Sequence, residues 1–437
     1  MNAIVAFPTP AEKAIGEQYR ALRARLQNDD VAARDRAYAA FSAAGLPHRR
    51  IEAWHYTDLR SILREVLPPA EPPDALILDR CRAALTALSA APGGRIVMVD
   101  GRFVPELSML PPAAEVGVSQ MLDEVTSPAL LAAQALGAPE AVVALNHAFV
   151  PGGVAITVAA GVRVAQPVEI LSIIAGAAPA AIYTRTSVEL GADAELAVSE
   201  RHLCLAQTRS QAHHVTIVAL ADRASLDHAA CVADLAPDTL HVASMLVKLE
   251  AASVFASTTL VTHPGTTRRQ AYLNFAGEHA KAEFRGASLL DGRAHADTTL
   301  VVTHTAPHCE SRELYKHVLD GQATGVYQGK VIVAPGAQKT DGKMLSKAVF
   351  LGDDATMHNK PELEIFADDV VCGHGATVGA LDSNQLFYLR ARGIPKPEAE
   401  AMLLEAFAEE ALETIGTGSI RLDYAERIAA WLRQRGH

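Results

Sequence analysis

Residues 191–226 read GADAELAVSERHLCLAQTRSQAHHVTIVALADRASL. The opening hexamer, GADAEL, returns 30 residues later as ADRASL. Both follow one loose pattern: a small residue, two variable positions, a small residue, a variable position and an apolar residue. Degenerate copies follow as LEAASV at 249, GEHAKA at 277, GQATGV at 321 and GDDATM at 352, at steps of 28, 28, 44 and 31 residues. Short apolar runs such as Val154–Val158, Val215–Val218 and Val331–Val333 lie in the same region, punctuated by Gly, Asp and Pro. A β-rich texture with a period near ~30 predicts a solenoid of stacked coils over 150–381, its interior built of Val, Ile, Leu and Ala. Chance recurrence in an Ala/Gly-rich chain is the competing account, and the 44-residue step calls for an insertion or an unrecognised coil. Long helices do not alternate regularly with the strands, which disfavours globin-like and Rossmann layouts.

On the N-terminal side, residues 1–94 read as helical. Ile15, Tyr19, Leu22 and Leu26 share one helix face, and the alanine-rich run from Val31 to Ala44 ends at Gly45-Leu46-Pro47. LPPAEPPDA (67–75) reads as a linker. Residues 95–149 form a mixed connecting segment. There, Ile96–Val99, Asp100-Gly101 and Arg102–Val104 predict a hairpin, and a helix is expected over roughly 119–138. Past the solenoid, 382–437 turns helical again. Asp382 and Ser383 can cap one helix that Gly393 ends, and Pro395 and Pro397 open a second with Met402, Leu403, Ala406, Phe407 and Leu412 as its apolar stripe. A last helix is expected from about Asp423 to Arg435.

Composition narrows the function. The 437 residues exceed one ordinary core of ~100–200 residues. With 39 Lys and Arg against 50 Asp and Glu the formal charge is −11, and no basic stripe is visible, so nucleic acid is not an expected partner. The opening MNAIVAFPTPAEK lacks a basic region and is interrupted by Pro8 and Pro10, unlike a secretory signal. The longest uncharged stretch, 141–162, contains Asn146, His147, Pro151, Gly152 and Gly153 and is a poor membrane span. Five scattered cysteines, at 81, 204, 231, 309 and 372, with no CxxC, fit a reducing cytoplasm better than a disulfide framework.

Few local motifs carry chemistry. GAQKTDGKMLS (336–346) mimics a phosphate loop, but five residues separate its glycines and Met344 follows Lys343, so it reads as a polar loop with a tight turn at Asp341-Gly342. CGHGATVG (372–379) is not a dinucleotide fingerprint. Its Cys372 and His374, two apart, point to one face of a strand, and a thiol beside an imidazole suits iron, zinc or copper. Two ligands are half a site, and a packed cysteine beside a satisfied histidine has the same spacing. The adjacent pairs His308-Cys309 and His213-His214 would face opposite ways on a strand and read as structural. No GxSxG elbow or HExxH helix occurs.

Longer strings carry a resemblance. RRIEAWHYTDLR (49–60), PHCESRELYKHVLDGQATGVYQGKVIVAPGAQKTDGKMLS (307–346), PELEIFADDVVCGHGATVG (361–379) and LFYLRARGIP (386–395) together resemble the SufB/SufD family of iron–sulfur cluster assembly proteins, the SufD type rather than the SufB type. The resemblance implies a right-handed parallel β-helix core with helical terminal regions. It implies a non-catalytic scaffold subunit that pairs with a SufB-type paralogue and docks a SufC-type ABC ATPase, which alone binds ATP. It implies a homodimer when isolated, docking of the ATPase on the C-terminal helical region 382–437, and no stably bound cofactor on the chain by itself. It places Cys372 and His374 at the subunit interface, as transient ligands of iron or of a nascent cluster. A β-helix polysaccharide lyase is the alternative of a different class. Such enzymes use acidic calcium ligands along a concave face, and Asp/Glu clusters are scarce between 150 and 300.

Overall fold

The structure, a computed structural model, describes residues 8–26, 28–121 and 141–435. Eight coils stack along one axis, each placing one strand in each of two sheets. The first four coils are β4 (Gly153–Val158) with β5 (Val168–Ile174), β6 (Ala180–Leu190) with β7 (Glu195–Cys204), β8 (Ser210–Leu220) with β9 (Ser225–Val232), and β10 (Leu240–Leu249) with β11 (Val254–Val261). The last four are β12 (Thr266–Phe275) with β13 (Lys281–Leu290), β14 (His295–His304) with β15 (Glu310–Leu319), β16 (Thr324–Val333) with β17 (Asp341–Phe350), and β18 (Thr356–Ile365) with β19 (Val371–Gly379). The eight even-numbered strands of the coils lie in a nine-stranded sheet and the eight odd-numbered ones in a ten-stranded sheet, parallel throughout the stack. This is the parallel β-solenoid that the repeat predicted. Facing residues lie 26 apart at Leu240 and Thr266 and 32 apart at Thr324 and Thr356, so the period is near 30 without being constant.

The repeat marks corners. The copies at 191, 221, 249 and 277 turn the chain from the nine-stranded to the ten-stranded sheet, whereas those at 321 and 352 turn it back. The 44-residue step is therefore a change of corner, about one and a half coils, and the skipped corner at 306–309 reads APHC. At the first corner one residue per coil takes the left-handed conformation: Asp193, Arg223, Ala252, His279, His308 and Lys339, with φ of 55 to 62°. Side chains make that conformation costly. Here each amide donates to a carbonyl of the next coil, from Asp193 to Asp222 at 3.0 Å through Lys339 to Asp369 at 2.6 Å, and the ladder holds the strained turns in line.

The first strands close one end of the stack. β1 (Arg95–Val99) and β2 (Arg102–Phe103) form the expected hairpin, with Asp100 and Gly101 both at positive φ. β1 joins the ten-stranded sheet beside β5, and β3 (Gly117–Met121) joins the nine-stranded sheet antiparallel to β4. Residues 119–121 are thus strand, and the rest of the helix expected over 119–138 falls outside the described residues.

Helices cover the outer faces. α1 (Pro10–Arg23) opens with a capping box between Thr9 and Glu12, and α2 (Asn28–Ala44) ends at Gly45, whose φ is 72°. Two further helices follow, α3 (Leu59–Ile62) and α4 (Ala75–Leu85). Ile15, Tyr19, Phe41, Trp54 and Leu59 pack with α5 (Ala141–Phe149) on Tyr183 and Val242 of the nine-stranded sheet. The EAWHYTD string is the clip. Arg268 and Asp297 pair at 2.5 Å with no exposed side-chain surface, and the Arg268 guanidinium lies 3.8 Å over the Trp54 ring. Arg268 also donates to the Ala53 carbonyl, and the Thr57 hydroxyl donates to Asp297. A buried cation is tolerated because it meets an anion, a carbonyl and a ring, although its Nε–H is buried without a partner.

The C-terminal helices are α6 (Ser383–Ala391), capped by Asp382, then α7 (Lys396–Glu409) and α8 (Gly418–Arg435). The last begins before the expected Asp423. The buried face of α7 is Ala399, Leu404 and Ala408; of the expected stripe, Leu412 is buried just past the helix and Phe407 packs on the same cluster, whereas Met402 is exposed. Leu404, Leu412, Tyr424, Ile428 and Trp431 pack on Ala229, Leu260, Leu289 and Val318 of the ten-stranded sheet. These helices lie along the side of the solenoid, and its C-terminal end is left uncovered by them. Among the described residues, no helix is long and apolar enough to cross a membrane.

Candidate functional site

The site starts from an unfinished stack. β18 and β19 each have one strand neighbour, and not one of their residues is buried, although β16 and β17 beneath them are largely buried. Unpaired backbone N–H and C=O groups line an exposed parallel edge, which is a template for another chain. Apolar side chains accompany it: Val371 is 61% and Phe366 62% exposed, with Ile365 and Val378 also open to solvent. An exposed apolar rim around free strand edges marks an interaction surface.

Cys372 and His374 sit on this last coil. In register Cys372 lies over Gly342 and His374 over Met344. Met344 is a buried core residue and Cys372 packs against the same core, so both site residues stand on the inward face at the open mouth of the solenoid. Cys372 is half-buried. Burial pushes its thiol up and the Asp341 carboxylate adds to that, against the Gly342 amide, so it is a protonated thiol at neutral pH. His374 is exposed. A Cβ added at Gly373 would touch nothing within 4 Å, so the pair is unscreened from an approaching chain. On the facing strand Asn359 shares the inward parity of Met357 and Leu363, and its Oδ1 is buried without a hydrogen bond. Sulfur, nitrogen and amide oxygen thus border one opening. Among the described residues no third His, Cys, Asp or Glu joins Cys372 and His374 at ligating distance. Any metal held here needs donors from a second chain.

The other singled-out motifs resolve structurally. Asp341–Phe350 is strand β17, so Gly342 to Ser346 are extended and paired and the expected turn at Asp341-Gly342 is absent; Lys339 makes the corner. A phosphate loop needs a helix there, and none follows. Cys309 is fully buried, whereas His308 stacks on His279 at 4.7 Å on the corner, so the pair does diverge. His213 and His214 also diverge, but not as two structural residues. His213 points out and stacks on Tyr183, whereas His214 points in toward His202 and His241.

That interior is not uniformly apolar, contrary to the sequence-based expectation. Two coils beneath His374, in the same inward column through Met344, lies Glu313. Burial raises its carboxyl to about 7, opposed by the Tyr327 hydroxyl, which donates to Oε2 at 2.6 Å. Deeper still, Glu200 accepts from Thr216 at 3.0 Å and lies 3.5 Å from His228. Burial alone would raise its carboxyl, but His228 and Arg269 outweigh burial and hold it at about 2. No motif announced these groups, because each comes from a different coil.

The family model for the SUF system FeS cluster assembly, SufBD core domain, matches residues 173–407. The iron–sulfur cluster assembly protein SufD of Escherichia coli is 31% identical over 396 residues, spanning 88% of this chain and 89% of that protein. A SufBD family iron–sulfur cluster assembly protein of Synechocystis is 28% identical over 390 residues, 86% and 85% of the two chains. A shorter match, 40% over 118 residues, joins 26% of this chain to the chloroplastic protein ABCI7 of Arabidopsis thaliana.

Proposed function

The chain belongs to the SufB/SufD family of iron–sulfur cluster assembly proteins, most like the SufD type, and from that premise we propose that it is a non-catalytic scaffold whose open solenoid end completes a cluster site together with a SufB-type paralogue. The observation that carries this reading is the exposed last coil, where Cys372 and His374 border a mouth that no third His, Cys, Asp or Glu among the described residues joins at ligating distance. A paralogous solenoid meeting it edge to edge satisfies the free backbone groups, covers Val371 and Phe366 and brings the missing donors. The His374 imidazole is a competent iron ligand or proton carrier, whereas Cys372 must lose its proton to ligate, so metal binding at the thiol releases a proton. Iron and the nascent cluster are cargo on this reading, held transiently.

A SufC-type ATPase docks on α6 and the exposed side of α7. Phe387 is 74% exposed, and Tyr388, Leu389 and Leu403 line an open apolar groove beside it. Without a paralogue, the same open end pairs two copies into a homodimer. The setting is a reducing cytoplasm. The polysaccharide-lyase alternative falls with the family membership.

Co-expression with SufB-type and SufC-type partners, followed by anaerobic iron and sulfide analysis, tests the reading. His374→Ala should leave the complex intact and lower cluster formation, with Cys372→Ala weaker in effect. A normal rate of assembly by His374→Ala would remove the site assignment, and failure to co-purify with either partner would remove the scaffold reading.

A further inference from the structure

Inside the solenoid, three coils bring three histidines together from opposite sheets. His202 comes from β7, His214 from β8 and His241 from β10, and one ring nitrogen of each lies within 4.8 Å of the others. The ring centroids are 4.8, 4.9 and 5.0 Å apart. His202 Nε2 and His241 Nε2 approach to 3.2 Å. Two nitrogens bound to one metal at about 2.1 Å lie roughly 3.0–3.4 Å apart at angles of about 90–109°. The observed spacing suits either an N–H···N bond or two ligands of one ion.

Hydrogen bonding separates those accounts. A single bond within the trio leaves His202 Nδ1, His241 Nδ1 and His214 Nε2 all buried without a partner. Buried polar atoms are nearly always paired, and orphans cost ~1–3 kcal/mol each. A fold that merely filled space here would do better with aliphatic side chains. We infer that His202, His214 and His241 form an internal site for one divalent first-row transition-metal cation, Fe(II) or Zn(II), with an open fourth position. Neutral imidazoles suit both ions. No hydrogen bond holds Nδ1 of His202 or His241, so a small turn of either ring toward the third nitrogen breaks no bond at that atom.

The surroundings bear on a cation in both directions. Glu200, two residues from His202 on β7, and Asp234 attract it. Arg269 repels it, as does His263 when protonated. Burial keeps the His202 imidazole unprotonated down to about 4 and also holds those of His214 and His241 well below the usual imidazole range, so their lone pairs are available at neutral pH. The next inward positions along these strands, Glu200, Thr216 and Ala243, border a cavity of about 30 Å³ that the three histidines do not themselves line, with room for one water. The inference stands on these side chains and not on the reading of the open end.

The test uses the full-length, untagged chain carrying Cys372→Ser and His374→Ala, so that the open end contributes no ligand. After chelation the protein is titrated anaerobically with Fe(II) and, separately, with Zn(II). Bound metal is measured after gel filtration, and its ligands by X-ray absorption. One equivalent, nitrogen scatterers at about 2.1 Å without sulfur, and a metal-dependent rise in melting temperature are expected. Uptake of either ion supports the site, and the tighter one identifies the cation. His241→Gln or the less deeply buried His214→Gln should weaken binding at least ~tenfold. No uptake by the folded parent, a sulfur ligand, or unchanged affinity in folded His214→Gln would overturn the inference. Should either variant not fold, the absorption spectrum of the parent decides alone.

Discussion

Glu313→Gln exposes a stability term hidden inside the solenoid. The carboxyl is wholly buried in the column beneath His374, with Tyr327 donating to Oε2 and Oε1 unpaired. Burial raises its ionisation from 4.5 to about 7. The folded protein therefore binds the proton more tightly than the unfolded chain, and stability falls as pH rises from about 4.5 to 7. At ~1.4 kcal/mol per pH unit the full loss is roughly 3 kcal/mol, present above pH ~7 and absent below ~4.5. Glutamine keeps the acceptor for Tyr327 and cannot ionise, but its amide N–H₂ costs ~1–3 kcal/mol if unpaired. Absolute stability is thus a poor readout, and the pH dependence of the difference is the clean one. Wild type and variant are melted side by side from pH 5 to 8. The variant should gain on wild type by most of those ~3 kcal/mol across that range, as a melting-temperature difference that widens with pH. A difference that stays constant between pH 5 and 8 would refute the buried-carboxyl account.

The buried histidines pull the other way. His213, His304 and His317 are each pushed to about 4 by burial, so the stability they contribute is complete above pH ~6.5 and lost as pH falls toward 4. Wild-type protein should therefore melt several degrees lower at pH 5 than at pH 7, and an unchanged melting temperature would count against it. Asp297→Ala strands Arg268 against Trp54 and should cost ~3–5 kcal/mol, read as early protease cleavage of the N-terminal helices; resistance equal to wild type would show that the clip is dispensable. Deleting 383–437, which would bare Leu260, Leu289 and Val318, should yield an aggregating core, whereas Phe387→Glu should leave the fold intact and weaken capture by a SufC-type ATPase at least ~tenfold. A soluble, monodisperse truncation, or wild-type capture by Phe387→Glu, would contradict the two halves of that statement.

Local chemistry determined much of this protein. A strand alternates its side chains with period two, so Cys372 and His374 had to share a face, and Asp100-Gly101 had to turn. Small residues recurring near every ~30 positions were enough for stacked coils, because the residue after each left-handed corner position, Ala194, Ala224, Ser253 and Ala280 in turn, is fully buried and leaves no room for bulk. Tertiary structure decided what local pattern cannot carry. The 44-residue step is a change of corner, visible only once both corners exist. α7 and α8 could equally have capped the last coil; apolar Leu260, Leu289 and Val318 on the outer sheet drew them to the side and left that end open. His202, His214 and His241 are 12 and 27 residues apart and follow no motif. They meet because the corners between β7, β8 and β10 set which inward side chains face each other across the two sheets. That register is a property of the whole stack, summed over turns and corners, and no single stretch of sequence contains it.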